Sequence, residues 1–96
     1  MAVLYIYESP QASIDIYDRL SSELLAQGIP NGAMYHVACK REEGGIVVTE
    51  IWESEEAHDR FDTIRREKIA QAGAPPRPAP RKLQVHNMVS AKKPAT

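Results

Sequence analysis

The stretch Gly45–Phe61 reads GIVVTEIWESEEAHDRF, and within it an apolar strand gives way to the start of a helix. The strand is apolar on both sides up to Trp52, as expected where both faces of a sheet are covered. Ser54 can accept a hydrogen bond from the free N–H groups of the first helical turn, and the acidic residues after it suit the positive end of the helix dipole. The sequence therefore predicts a strand that ends in a tryptophan at the mouth of a helix, which builds one wall of a pocket.

Hydrophobic periodicity and turn residues divide the chain into six elements in the order β-α-β-β-α-β. Alternating β-branched and aromatic residues predict the strands, and apolar residues at helical spacing predict the helices. This order predicts a ferredoxin-like α+β fold, in which a four-stranded antiparallel sheet carries two helices on one face. The predicted elements are a strand at Ala2–Glu8, a helix at Ser13–Gln27, strands at Ala33–Arg41 and Ile46–Glu53, a helix at Glu55–Ala72, a proline-rich linker at Gly73–Pro80 and a strand at Leu83–Val89.

The length of 96 residues predicts one domain, at residues 1–89, followed by a loose polar tail at residues 90–96. A formal net charge of −1 argues against nucleic acid or an anionic membrane as the partner. No apolar run approaches the roughly 20 residues that span a bilayer, and the N-terminus lacks the basic segment of a signal peptide. The single cysteine, Cys39, excludes an intrachain disulfide. These features predict a cytoplasmic protein.

The first and third predicted strands are apolar on both faces, although two helices can cover only one face of the sheet. The first strand places Leu4 and Ile6 on the uncovered face, and the third strand adds Val47 and Ile51. Exposing these side chains to water would forgo about 1.5–3 kcal/mol each. A second copy of the chain is the simplest cover, so we expect a homodimer in which the two sheets form a barrel.

On the helix-covered face, strand alternation places Glu50 between Val48 and Trp52, with Tyr5 and Tyr7 on a neighbouring strand. These aromatic residues predict a pocket between helices and sheet that holds a ring against Trp52, Tyr5 and Tyr7. Burial would raise the pKa of Glu50 and make its carboxylate a candidate general base. The alternative is that the strand twists there and Glu50 pairs with a surface cation.

Three further polar residues on the strands are candidates for the site. His36 and His86 are flanked by apolar residues, and each is either a proton shuttle or a hydrogen-bonded histidine of the core or the dimer interface. His36 thus joins Glu50 as a candidate catalytic residue. Asn87 can donate to a bound carbonyl or satisfy the backbone. No carboxylate or cysteine stands at ligand spacing from the histidines, so no metal site is expected.

The second predicted helix carries an apolar stripe and a charged face. Ala57, Phe61, Ile64 and Ile69 recur at roughly helical spacing and predict the side that packs on the sheet. The charges of Asp59–Lys68 alternate in sign and predict a solvated face with local ion pairs.

The order of elements, together with the motif Trp52-Glu53-Ser54-Glu55 followed by Ala57 and Phe61, resembles the dimeric α+β barrel superfamily. The likeness is greatest to its antibiotic-biosynthesis-monooxygenase-like branch and covers about residues 2–89. The resemblance implies a small dimeric protein that binds a small, aromatic organic molecule between helices and sheet. It equally allows a cofactor-independent monooxygenase that acts on aromatic or polyketide-like substrates. Whether the chain is an enzyme is left open.

Haem-degrading members of that superfamily combine an asparagine on the first strand, a tryptophan that opens the motif and a histidine on the second helix. Trp52 matches this pattern, but Tyr5 stands at the asparagine position. Phe61 and Asp62 occupy the helix face that would carry the histidine, and His58 lies about one turn too early. The resemblance therefore implies no haem, and we expect no other cofactor.

Overall fold

A computed structural model describes residues 1–89 and contains the six elements in the predicted order. The four strands form one sheet in the order β2-β3-β1-β4, and all neighbouring strands are antiparallel. The ferredoxin-like α+β fold is thus confirmed, whereas the tail predicted at residues 90–96 lies outside the described residues. The elements are β1 at Val3–Ser9, α1 at Ile14–Leu24, β2 at Ala33–Lys40, β3 at Ile46–Trp52, α2 at Glu55–Gln71 and β4 at Arg81–Gln84.

Both helices begin at a serine that caps the first turn. The Ser13 hydroxyl accepts a hydrogen bond from the backbone N–H of Ile16, and the Ser54 hydroxyl accepts one from Ala57 at 3.1 Å. In α2 two glutamates occupy the first turn and Lys68 lies in the last turn, so the charges match the helix dipole at both ends. The predicted start of α2 at Glu55 is confirmed.

Strand alternation divides the sheet into an inner face, which the helices cover, and an outer face. In β1 and β3 every second residue is buried. Tyr5 lies opposite Glu50 in the antiparallel register, and Tyr7 lies opposite Val48. The predicted inner face is therefore confirmed. Its core consists of Val3, Tyr5, Tyr7, Ile46, Val48 and Trp52 with Ala57 of α2.

The last strand is shorter and begins earlier than predicted. The sequence indicated Leu83–Val89, but β4 covers Arg81–Gln84. It pairs with β1 from Ile6 back to Val3, and a final backbone bond joins Val85 N–H to the Ala2 carbonyl at 3.0 Å. The pairing with β1 thus ends at the first residues of that strand, and His86 and the residues after it lie beyond the strand pair. Apolar alternation in the sequence does not show where the partner strand ends, so it could not predict the end of β4.

The inward side of α2 also differs from the prediction. Ala57 is buried as expected, but Ile64 is 53% exposed. Asp62 and Arg65, assigned to a solvated face, are each only 6% exposed. The helix is rotated so that ionic side chains pack on the sheet, and the reason lies in the site described below.

The outer face of the sheet is apolar and has no covering element among residues 1–89. Leu4, Ile6 and Val47 are half-buried by their neighbours within the sheet. Val37 of the edge strand β2 is 53% exposed. No helix in this part of the chain combines the length and the apolar composition needed to cross a membrane.

Candidate functional site

A cavity of about 390 Å³ lies between the two helices and the inner faces of β2 and β3. We call it the helix–sheet cavity. Leucines of α1, Val48 and Trp52 of β3 and Phe61 of α2 make much of its wall apolar. A few polar side chains also reach it, among them Tyr17, His36, Glu50, Arg65 and Arg77. A mostly apolar wall with a few convergent polar groups is typical of small-molecule sites, and the volume falls in their range.

Glu50 is the most buried polar residue of the site, with 1% of its surface exposed. Arg65 reaches both of its carboxylate oxygens: Nη1 donates to Oε2 at 2.5 Å and Nη2 donates to Oε1 at 3.2 Å. The indole Nε1 of Trp52 donates to Oε1 at 3.0 Å. Both oxygens are therefore occupied by donors from two elements, β3 itself and α2.

The ionisation of Glu50 differs from the expectation based on burial. Burial alone would raise its pKa, but hydrogen bonds from His36 and Arg65, together with the charge of Arg65, outweigh burial. The pKa of Glu50 therefore lies well below its usual value, and the prediction of a raised pKa is wrong. A carboxylate that is ionised and fully bonded is a poor proton acceptor. Glu50 is suited to orient a neighbouring base.

That neighbour is His36, which β2 places opposite Glu50 in the sheet register. Its Nδ1 lies 3.0 Å from Glu50 Oε2, and its Nε2 lies 2.5 Å from the Tyr17 hydroxyl of α1. Because an ionised carboxylate only accepts, Nδ1 donates to Glu50, and in the tautomer with one ring proton Nε2 is left to accept from the Tyr17 hydroxyl. The structure thus brings the two candidate catalytic residues together in one hydrogen-bonded pair.

Tyr5 and Tyr7 lie on the inner face but line a different space. A second cavity of about 570 Å³, the linker cavity, is bounded by these tyrosines, by α2 and by the linker before β4. The Tyr7 hydroxyl lies 2.5 Å from Nε2 of His58, whose ring stacks on Tyr5 at 3.7 Å. Burial raises the pKa of both tyrosines to about 12, so both are neutral near pH 7. Trp52 contacts His58 edge-on and lines only the helix–sheet cavity.

Asp62 connects the two cavities through three arginines. Arg65 donates to its Oδ1 at 2.8 Å, Arg77 donates to the same oxygen at 2.9 Å, and Arg66 donates to Oδ2 at 2.9 Å. Arg77 comes from the linker and lies over the Tyr7 ring, 3.7 Å from its centroid. Hydrogen bonds from Arg65 and the charges of Arg65 and Arg77 outweigh burial and lower the pKa of Asp62.

Sequence reasoning missed Tyr17 and the charged residues of this network. Charges on a helix usually face water, so nothing in their alternation indicated burial. Two patterns taken together would have indicated that these charges are buried. His58, Asp62 and Arg65 follow the i, i+4, i+7 spacing of one helix face, and a buried Glu50 requires a cation from the helix that covers it.

The remaining candidates lie elsewhere. His86 and Asn87 follow β4, are exposed and line neither cavity, which contradicts their placement on a strand. Within residues 1–89 no group of three or more His, Cys, Asp or Glu side chains is arranged to hold a metal ion.

Solved structures with the same architecture identify the fold. Rv0793 from Mycobacterium tuberculosis is 19% identical, with 93% of this chain and 97% of that chain covered and a TM-score of 0.61. A protein of Chloroflexus aurantiacus, provisionally described as an antibiotic biosynthesis monooxygenase, is 16% identical, with 93% and 95% covered and a TM-score of 0.57. The chain has the same fold as these two structures. No protein-family model and no curated protein sequence matches it.

The Glu50 carboxylate should make stability depend on pH. Because its pKa in the folded chain lies below the ordinary 4.5, the carboxylate stabilises the fold above about pH 4.5 and loses that contribution as the pH falls further. Glu50→Gln also leaves Arg65 buried without its counter-charge, so the free energy of unfolding at pH 7 should fall by about 3–5 kcal/mol. Urea unfolding between pH 3 and 7 should show a shallower decline with acid in Glu50→Gln than in the parent chain.

The control is Glu67→Gln, an exposed carboxylate of α2. It should keep both the stability and the acid dependence of the parent chain. Equal acid dependence in Glu50→Gln and the parent chain would contradict the assignment.

Proposed function

We propose that this protein binds a small, aromatic organic molecule in the helix–sheet cavity. The observation that carries the proposal is the wall of that cavity, where apolar residues surround a few fixed polar groups. The rings of Trp52 and Phe61 lie 5.6 Å apart between centroids, with their planes tilted by 34°, and offer aromatic faces against which another ring can pack. The hydrogen bond from Trp52 to Glu50 holds the indole in place, so the surface does not have to be ordered on binding.

A second candidate function is cofactor-independent oxygenation, and the His36–Glu50 pair favours it. Nε2 of His36 can take a proton from a ligand through the Tyr17 hydroxyl, and Glu50 stabilises the imidazolium that results. The deprotonated substrate would then give electrons to O₂. One oxygen atom enters the product and the other leaves as water, so no resident cofactor is part of the proposal. Anthrone with O₂ gives anthraquinone and water in this way.

We further propose that a second copy of the chain covers the outer face of the sheet. Leu4, Ile6 and Ile51 form a half-buried apolar layer there, and Val37 and Leu83 extend it to the edges with 53% and 45% of their surfaces exposed. A continuous apolar patch of this kind marks an interface. Two such faces are self-complementary about a two-fold axis, which is the geometry of a homodimer.

Binding can be tested by calorimetry with 2-naphthol. We expect saturable binding of one molecule per chain. Ser21 of α1 lines the cavity and Ser22 is exposed beside it. A phenyl ring at position 21 would fill space that the ligand needs. Ser21→Phe should therefore weaken binding about tenfold or more, whereas the affinity of Ser22→Phe should stay within about twofold of that of the parent chain. No saturable heat with the parent chain, or equal loss in both variants, would refute the proposal.

Oxygenation can be tested by O₂ uptake with anthrone. The parent chain should accelerate uptake over buffer. Removing the base in His36→Ala should lower the rate about a hundredfold or more. His86→Ala is the matched control because that histidine lies outside both cavities, and it should leave the rate unchanged. An unaltered rate in His36→Ala would refute the role of the base, and no acceleration by the parent chain would refute oxygenation while leaving binding intact.

Dimerisation can be tested by sedimentation at micromolar concentration, where we expect a dimer. Val37 and Ile64 are both 53% exposed, but Val37 lies on the outer face of the sheet and Ile64 lies on α2. Val37→Lys places a charge in the proposed interface and should shift the equilibrium to monomer, whereas Ile64→Lys should remain dimeric. A monomeric parent chain, or dissociation by both substitutions alike, would rule out this interface.

A further inference from the structure

Arg77 is an unusual side chain for a linker, because it points into the protein. Only 18% of the side chain is exposed, and it contributes to the walls of both the helix–sheet cavity and the linker cavity. Two contacts fix its guanidinium: the stacking on Tyr7 and one hydrogen bond from Nη2 to Asp62. The cation is therefore held at the boundary of the proposed ligand site.

The hydrogen bonding of Arg77 is incomplete. A guanidinium has five N–H donors, and within residues 1–89 Arg77 has a single acceptor, Asp62. Arg65, the other arginine that lines the helix–sheet cavity, donates to Glu50, Asp62 and Tyr7. Arg65 is thus committed to the protein, whereas Nε and Nη1 of Arg77 remain available to a ligand.

Among residues 1–89, Arg77 has no carboxylate of its own. Its one acceptor in this part of the chain, Asp62, also accepts from Arg65 and Arg66, whereas Arg65 is paired in addition with Glu50. Burial, followed by repulsion from Arg65, lowers the pKa of Arg77, although a guanidinium stays charged near neutral pH. A negative charge brought by a ligand would give this buried cation a counter-ion that it does not share.

We infer that the ligand of the helix–sheet cavity is an aromatic carboxylic acid and that Arg77 binds its carboxylate. The inference rests on the proposed function and adds the chemical class of the ligand. Nε and one Nη of a guanidinium form a planar fork that matches the two oxygens of a carboxylate. The aromatic ring would lie against Trp52 and Phe61, where the wall is apolar.

The test compares 6-hydroxy-2-naphthoic acid with its methyl ester, which has nearly the same shape and no charge. Calorimetry on the parent chain should show the acid binding about tenfold or more tightly than the ester, since a charge-assisted pair contributes that much. Arg77→Gln should remove this preference and leave the affinity for the ester within about twofold. Arg77→Lys keeps the charge and should retain part of the preference for the acid.

Arg66→Gln is the matched control. Arg66 also donates to Asp62, but 72% of its side chain is exposed and it does not line the helix–sheet cavity. It should leave the preference for the acid largely unchanged. Circular dichroism of each variant checks that it is folded, and the acid-to-ester ratio of the parent chain tests the inference without any variant.

The outcomes separate the inference from the proposed function. Ester and acid binding equally well would overturn the inference while leaving the aromatic site intact. Acid that binds without displacing 2-naphthol would place the anion in the linker cavity and would also overturn it. If neither the acid nor the ester binds while 2-naphthol does, the inference fails and the proposed function stands; if 2-naphthol does not bind either, both fail.

Discussion

The ion pair between Glu50 and Arg65 is the interaction on which the rest of the site depends. A carboxylate with 1% exposure on the inner face of a sheet is tolerated only if a cation and further donors satisfy it. Arg65 supplies the cation from α2, and this requirement turns the ionic side of that helix toward the sheet. Because the pair joins α2 to β3, it constrains how the helix can rotate over that strand.

This pairing also assigns the roles of the surrounding residues. Arg65 and Trp52 hold the Glu50 carboxylate in place, and its Oε2 also bonds Nδ1 of His36, so the carboxylate fixes the orientation of the imidazole. The same helix rotation brings Asp62 to the boundary of the two cavities, where it holds Arg77. The chemistry of the helix–sheet cavity is therefore that of an imidazole and a guanidinium, each fixed by a carboxylate, on an otherwise apolar wall.

The sequence predicted what local patterns determine and failed where distant packing decides. Alternation in β3 correctly placed Glu50 and Trp52 on the inner face, and Ser54 correctly marked the start of α2. Alternation cannot say which cavity a residue of that face lines, because the covering elements decide it, and so the sequence did not show that Tyr5 and Tyr7 line a different cavity from Trp52. The end of β4 likewise depends on where its partner β1 begins. The burial of charges on α2 becomes predictable only when Glu50 is considered with the helix above it.

The proline-rich linker takes on a second role in this picture. The sequence indicated a stiff connection between α2 and β4, and Arg77 lies among its prolines at positions 75, 76, 78 and 80. Proline fixes φ, so the backbone around Arg77 has less conformational freedom to lose on folding. A long, flexible arginine side chain is otherwise costly to order, and here the stiff backbone, Tyr7 and Asp62 together reduce that cost before any ligand arrives. The linker therefore forms a wall of the site as well as the connection to the last strand.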